Sequence, residues 1–336
     1  MAIQSIRIKN VMAFGCHGED AAKHNLEGAF QLSFSSGINV IIGENGTGKT
    51  SLLKMIYAAT QESSNKVQKA AHFDDYFSKH TRFSDFLNHS TQFSAIGVVI
   101  DGESISFNLS DKGMITACPI HQQQTPAVFI PTTEMLSHSK GFLALNQKYQ
   151  MPFDQTQVDI IVNASLPEAR EMPVYMQAIL DKISTVIDGE VVQEDDEFYV
   201  LKQDGRKLRF SLEAEGLRKL GLLWKLIRNG LLEPGTVLLW DEPEANLNPE
   251  LFPLVAEILL ELQKNGIQMF VATHSYNFAK YLEIRRTETE QVQFHNLYHS
   301  EQPGVIEASS AYRMEDLHDN HIMMADNKLL DEIYDL

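Results

Sequence analysis

The 336-residue sequence predicts an α/β fold, and three observations carry that prediction. The apolar run Gly37-Ile38-Asn39-Val40-Ile41-Ile42 leads directly into a glycine-rich loop; a second apolar run, Val237-Leu238-Leu239-Trp240, ends in Asp241-Glu242; and from 214 onward helical and strand periods alternate regularly. Strands buried on both faces read as continuous apolar runs, and their alternation with helical segments is the pattern of a sheet covered by helices.

The elements follow in order. Met1 to Lys9 alternates apolar and polar residues, which suits a first strand and not a signal peptide. Short strands continue to about residue 50, and a helix is expected from Ser51 to about Ala59. The stretch 61–92 is polar, without a clean period, and reads as weakly helical or loop. Alternation across 93–118, joined through Asp101-Gly102, predicts an antiparallel hairpin, and a second is expected across 190–211, turning at Gln203-Asp204-Gly205-Arg206. Thr132 to Leu145 and Val174 to Ile187 look helical. Then come helix 214–229 with Gly230 as its stop, strand 236–241, helix 249–264, strand 267–272 and helix 275–284.

Composition narrows the function classes. With 43% hydrophobic and 22% charged residues the chain reads as soluble and folded, and no run of 18 apolar residues offers a membrane span. A net charge of -17 makes the average surface repel nucleic-acid phosphates and anionic lipid, so any nucleic acid must meet a local basic patch. Two cysteines, Cys16 and Cys118, make neither a disulfide framework nor a zinc spacing, and a reducing cytoplasm is expected.

Gly43-Glu44-Asn45-Gly46-Thr47-Gly48-Lys49-Thr50, followed by Ser51, matches G-x-x-x-x-G-K-[ST] between a strand and a helix. Glycines there let backbone N–H groups approach phosphates, Lys49 reaches the β- and γ-phosphates, and the Thr50 hydroxyl can ligate magnesium. At the end of the second apolar run, Asp241 is placed to hold magnesium and Glu242 to polarise the water that attacks the γ-phosphate. A third run, Met269-Phe270-Val271-Ala272-Thr273, delivers His274, whose neutral imidazole could hydrogen-bond the γ-phosphate. Catalytic roles thus fall on Lys49, Glu242 and His274, with Thr50 and Asp241 as metal ligands.

These motifs, in this order, resemble the ABC-type ATPase heads of the SMC, RecF and OLD (overcoming lysogenization defect) group over roughly residues 1–60 and 205–285. Asp-Glu-Pro-Glu-Ala-Asn-Leu at 241–247 looks particularly like the bacterial OLD-like ATPases. The resemblance implies a P-loop NTPase fold, an ABC-type head with an inserted mixed α/β lobe: core at 1–60 and 205–300, helical and hairpin lobe at 61–204, acidic C-terminal segment at 301–336. It further implies a homodimer, with higher oligomers left open, closed head to head around two ATP and magnesium. A signature motif of each partner would complete the other's site. The candidate is Glu213-Ala214-Glu215-Gly216-Leu217-Arg218-Lys219, with Glu215, Gly216, Arg218 and Lys219 as the residues acting in trans. The usual serine is missing and Glu215 is unfavourable beside a phosphate, so hydrolysis is expected to be slow. The family's Q-loop glutamine has no secure counterpart; Thr132 or Glu134 takes its place if Phe129 to Glu134 is that junction.

Eight cations, Lys202, Arg206, Lys207, Arg209, Arg218, Lys219, Lys225 and Arg228, gather between 202 and 228, as a solvated face or a basic stripe for DNA or an acidic partner. Near the C-terminus, His295, His299, His318 and His321 with Glu315, Asp316 and Asp319 raise a metal-nuclease question without a recognisable ligand spacing. Leu329, Leu330, Ile333 and Tyr334 form an amphipathic helix end expected to join the core or dock on the chain itself. By resemblance, standalone OLD-like ATPases accompany a separate effector, often a nuclease, in bacterial defence or toxin–antitoxin modules. The expected function is therefore an ATP-driven switch on such an effector. The alternatives are a RecF-like DNA-binding repair ATPase and a non-hydrolysing ATP-sensing scaffold.

Overall fold

A computed structural model describes residues 2–16, 20, 23–63, 74–77, 85, 87, 93–110, 113–116, 125–149, 151–302 and 304–334. Its centre is a six-stranded sheet in the order β14-β13-β3-β12-β11-β7, formed by β3 (Ile38–Gly43), β7 (Ala127–Ile130), β11 (Val237–Asp241), β12 (Gln268–Ala272), β13 (Val292–His299) and β14 (Ile306–Ala311). The pairs among β7, β11, β12, β3 and β13 are parallel; β14 runs antiparallel to β13. Every residue of β3, β11 and β12 is buried, the reason their sequences are nearly unbroken apolar runs.

The two faces of this sheet bury different partners. One face presents Ile41, Phe129, Leu239, Phe270 and Leu297 to α1 (Lys49–Ser63) and to a five-stranded antiparallel sheet. That second sheet has the order β2-β1-β4-β5-β6, from β1 (Ile3–Lys9), β2 (Phe30–Ser33), β4 (Ser94–Ile100), β5 (Glu103–Ser110) and β6 (Gly113–Thr116). The opposite face presents Val40, Ile130, Leu238, Trp240, Val271 and Phe294 to helices. These include α3 (Gln155–Ala164), α4 (Val174–Ile187), α5 (Glu215–Arg228), α6 (Phe252–Lys264) and α7 (Tyr276–Arg285). A small sheet, β8 (Gly189–Glu194), β9 (Glu197–Lys202) and β10 (Lys207–Arg209), covers α4 and α5. Side chains alternate across each strand, so one strand sequence feeds both cores.

Several expectations need revision. The segment 61–204 supplies β4–β6 to the sheet begun by β1 and places β7 at the edge of the central sheet, so it contributes core strands as well as helices. The hairpin across 190–211 is the β9–β10 half of a three-stranded sheet. Thr132 to Leu145 is not one helix: a single 3-10 turn at Leu136–His138 is followed by α2 (Phe142–Tyr149). The Glu134 carboxylate takes the Leu136 and Ser137 N–H groups, and Gly141 at φ +66° breaks the path between the two. The helix expected from 249 opens as a 3-10 turn, Pro249–Leu251, before α6. Most of 61–92, and Cys118, lie outside the described residues.

The two ends of the described chain meet opposite ends of the central strands. Ile3 N–H donates to Gln268 Oε1 at 2.8 Å, and Gln268 returns a bond to the Ile3 carbonyl at 2.9 Å, beside the start of β12. The last helix, α8 (His321–Tyr334), stands at the other end, where β3 runs into its loop. It has no buried residue, and Leu329, Leu330, Ile333 and Tyr334 are exposed, so among the described residues this end does not join the core; the helix docks instead through His321 and Ile322. No helix among the described residues is long and apolar enough to cross a membrane.

Candidate active site

The carboxyl ends of β3, β11 and β12 converge, and each brings a loop with polar groups. After β3 the chain turns through Gly43, Gly46 and Gly48 at φ +144°, +85° and +89°, conformations that only glycine adopts without strain. Gly43 also has no room for a side chain: a Cβ there would lie 2.2 Å from the Leu297 carbonyl oxygen of β13. Glu44, Asn45 and Gly46 are exposed, whereas Thr47 is buried and its hydroxyl donates to the Glu44 carbonyl at 2.9 Å. Lys49 opens α1 with its ammonium folded back on the loop, donating to the Gly43 and Glu44 carbonyls at 2.7 and 2.8 Å. Burial lowers its pKa to about 8, against the pull of Asp241 and other carboxylates.

Thr50 and Asp241 lie side by side. The Thr50 hydroxyl donates to Asp241 Oδ2 at 2.9 Å, and the Thr132 hydroxyl donates to the same oxygen at 3.0 Å. Of the two residues considered at the Q-loop junction, Thr132 is the one that reaches Asp241. Glu134 does not; it turns to its own backbone and to Arg218. Asp241 is 4% exposed and its pKa is raised by that burial. A desolvated carboxylate flanked by two hydroxyls is an all-oxygen donor set, which is the chemistry a magnesium ion fits.

Glu242 follows Asp241 in a left-handed conformation, φ +50°, which a non-glycine residue adopts at a cost of roughly 1–2 kcal/mol. Its N–H is held by the Ala272 carbonyl at 2.9 Å, and its carboxylate comes within 3.6 Å of His274 Nε2. Both side chains remain about one-third exposed, open to solvent above the loop. Partial burial, and next the charge of Lys49, lower the His274 pKa and favour the neutral imidazole. Glu244, in the following turn, accepts from the Thr273 hydroxyl at 2.5 Å and from His274 N–H at 3.2 Å, pinning the histidine's backbone.

The proposed trans residues divide. Ala214 and Glu215 are exposed at the start of α5, where the N-cap residue, Ala214, makes no side-chain cap, leaving first-turn N–H groups for another acceptor. Gly216 faces inward: a Cβ would lie 2.5 Å from the Asn246 carbonyl. Arg218 pairs with Glu134 at 3.2 Å, and Lys219, 2% exposed, donates to the Glu242 carbonyl at 2.8 Å. Both cations are thus bonded within their own chain, Lys219 to the turn that follows β11. The basic stripe is likewise not a free cationic face. Lys202, Arg206, Lys207 and Arg209 pair with Glu213, Asp204, Glu194 and Glu197, while Lys225 and Arg228 share Glu168.

Sequence reasoning missed one contributor. His321, the first residue of α8, lies with Nδ1 2.8 Å from Glu44 Oε1, and α8, Glu44, Asn45, His274 and Tyr276 enclose a cleft of about 690 Å³ beside the phosphate loop. The helical period of α8 was readable, its docking place was not. The other C-terminal histidines form no centre with it: His295 is buried between Asn39 and Ser310, and no group of three potential metal ligands of the His, Cys, Asp and Glu types occurs among the described residues.

A family model described as "AAA domain" matches residues 5–172, half of the chain. This chain belongs to the AAA domain family. A second model, "AAA domain, putative AbiEii toxin, Type IV TA system", matches residues 152–279. Among curated proteins, the L-cystine import ATP-binding protein TcyN of Bacillus subtilis is 31% identical over 146 residues, 36% of this chain and 55% of TcyN. The DNA replication and repair protein RecF of Streptococcus pyogenes is 25% identical over 222 residues, 57% of this chain and 55% of RecF. The chain thus spans about half the length of these relatives. Among solved structures, an SMC head bound to the C-winged helix domain of ScpA superposes with a TM-score of 0.57 at 15% identity, covering 93% of this chain and 98% of that one. An SMC head with an extended coiled coil, bound to a ScpA domain from Pyrococcus furiosus, gives 0.52 at 12% identity, covering 99% of both. These show the fold, the mixed α/β architecture of an SMC head.

Proposed function

We propose that this AAA-domain chain is a cytoplasmic ATPase that closes a homodimer around two ATP and controls a separate effector protein, a nuclease or toxin of bacterial defence. The observation that carries the hydrolytic part is the juxtaposition of Glu242 and His274, 3.6 Å apart, over the loop that holds Lys49. The phosphates of ATP would lie along Gly43–Ser51 and take the Lys49 ammonium from the Gly43 and Glu44 carbonyls. Thr50 and Asp241 would hold magnesium, whose charge offsets that of the β- and γ-phosphates. The Glu242 carboxylate accepts a proton from water as the water oxygen bonds to the γ-phosphorus and the bond to the β-phosphate oxygen breaks. Neutral His274 donates a hydrogen bond to the γ-phosphate. Phosphate and ADP leave, and the proton passes from Glu242 to solvent.

Dimer closure is supported by two exposed groups of opposite need: Glu44-Asn45-Gly46 open to one side, and the uncapped N-terminus of α5 available to a phosphate held by another copy. The effector role draws on the resemblance of 241–247 to OLD-like ATPases and on the match to the toxin–antitoxin description. The DNA-clamp reading gains nothing from 202–228, whose cations are paired or buried.

The Glu242→Gln variant tests the proposal. ATP should still bind, turnover should fall at least ~100-fold, and the native mass with ATP and magnesium should double. Negligible turnover in both proteins would remove the enzyme reading, and a persistent monomer would remove closure. Purified from its own cell with ATP, the same variant should retain a stoichiometric second protein; duplex DNA without such a protein would favour the repair-type clamp.

A further inference from the structure

Burying a lysine is unfavourable unless its ammonium finds acceptors. Lys219, on the second turn of α5, is 2% exposed, and desolvation keeps its pKa low despite Glu244, Glu242, Glu215 and Asp241 around it. Its Nζ donates to one place of consequence, the main-chain carbonyl of Glu242, at 2.8 Å. That carbonyl also accepts from Ala245 N–H at 3.1 Å, closing the turn after β11. With the Glu242 N–H tied to Ala272, the main chain of this residue is fixed on both sides in its left-handed conformation, while its carboxylate stays free beside His274. One turn earlier on the same helix, Gly216 is pressed against the residues that follow Glu242: a Cβ would come within 2.5 Å of Asn246 O and 3.0 Å of Leu247 Cα. The first two turns of α5 therefore grip segment 242–247 at two points.

We propose that Lys219 is a positioning residue that holds Glu242 in its left-handed turn and makes the alignment of that glutamate follow the N-terminus of α5 within the same subunit. The inference rests on the hydrolytic reading above. An anion engaged at Ala214 and Glu215 moves the start of α5, and the glutamate moves with it through the Lys219 hydrogen bond and the Gly216 contact. When the anion is the γ-phosphate held by a second copy, each site aligns its glutamate according to whether the other is filled, so the two sites turn over cooperatively.

The test compares Lys219→Met and Lys219→Arg with Lys225→Met, which removes another buried lysine of α5, one that pairs with Glu168 and does not contact Glu242. Each protein is assayed for ATP affinity, kcat, the Hill coefficient of turnover and thermal unfolding. Lys219→Met should keep ATP affinity within roughly threefold, lower kcat by roughly 10- to 100-fold and bring the Hill coefficient to one, as a misplaced catalytic group does. Lys219→Arg, retaining a donor, should recover part of kcat; Lys225→Met should lose stability without losing kcat. Equal kcat losses in the two Met variants, or a rise in KM at unchanged kcat, would overturn the positioning role. If Lys219→Met does not fold, a Lys219→Arg variant with the kcat and Hill coefficient of Lys225→Met supports the role, and one with neither turnover nor cooperativity overturns it. A wild-type chain without turnover would overturn the hydrolytic reading and this proposal together, whereas an active wild type matched by Lys219→Met would overturn this proposal alone.

Discussion

His321 Nδ1 lies 2.8 Å from Glu44 Oε1, so the last helix of the chain touches the phosphate loop. Both side chains are nearly half exposed, and a pair in that setting contributes on the order of 0.2–1 kcal/mol. Its removal should be felt at the loop without unfolding the protein. His321→Ala should leave the melting temperature unchanged and weaken ATP binding by roughly 2- to 5-fold, because the Glu44 carboxylate then faces incoming phosphates alone. Titration with a fluorescent ATP analogue gives the number; tighter binding would mean that α8 obstructs the mouth.

Gly43 and Gly46 separate two reasons for glycine in one loop. Gly46 has open space around its missing Cβ, so Gly46→Ala meets only the strain of φ +85°, about 1–2 kcal/mol. Gly43→Ala adds a collision with the Leu297 carbonyl and must displace either the loop or β13. Thermal unfolding and ATP titration together should show Gly43→Ala losing more stability than Gly46→Ala, along with most of its affinity. Equal losses would mean that the strand can yield.

The buried imidazole of His295 gives a pH signature. Burial lowers its pKa to about 3, whereas the unfolded chain titrates at about 6.5. The folded state therefore binds fewer protons between those values, and the stability present above pH 6.5 is lost as pH falls through this window. The denaturation midpoint of the wild type should fall more steeply from pH 6 to pH 4 than that of His295→Gln, which can keep bonds to Asn39 and Ser310 without titrating. Parallel curves would refute this assignment.

What could be read ahead of the structure was local. Gly43–Thr50, Asp241-Glu242 and His274 stand at strand ends where their flanking periods put them, and helices 174–187 and 214–229 follow from spacing alone. Pairing between distant segments was not readable. β7 is four residues long, and nothing in Ala127–Ile130 says that it will lie beside β11. Lys219 shows the same limit at one residue: a cation on an amphipathic helix reads as solvated until the neighbouring carbonyl of Glu242 is placed. The cations of 202–228 read as a patch because their partners, Glu134, Glu168, Glu194 and Glu197 among them, come from other segments. Capping was readable in principle, as in Asp154 and Gln157, which close a reciprocal box at the start of α3.

The placement of Ile3 against Gln268 and of His321 against Glu44 gives the molecule two unlike poles. A dye attached at Met324, on the exposed side of α8, would sit one helical turn from His321 and its contact with the phosphate loop, whereas one attached at Ala2 would sit at the opposite end of the strands. A pair of such labels forms a built-in ruler: the first should change its emission when nucleotide arrives, the second should stay silent and serve as the reference.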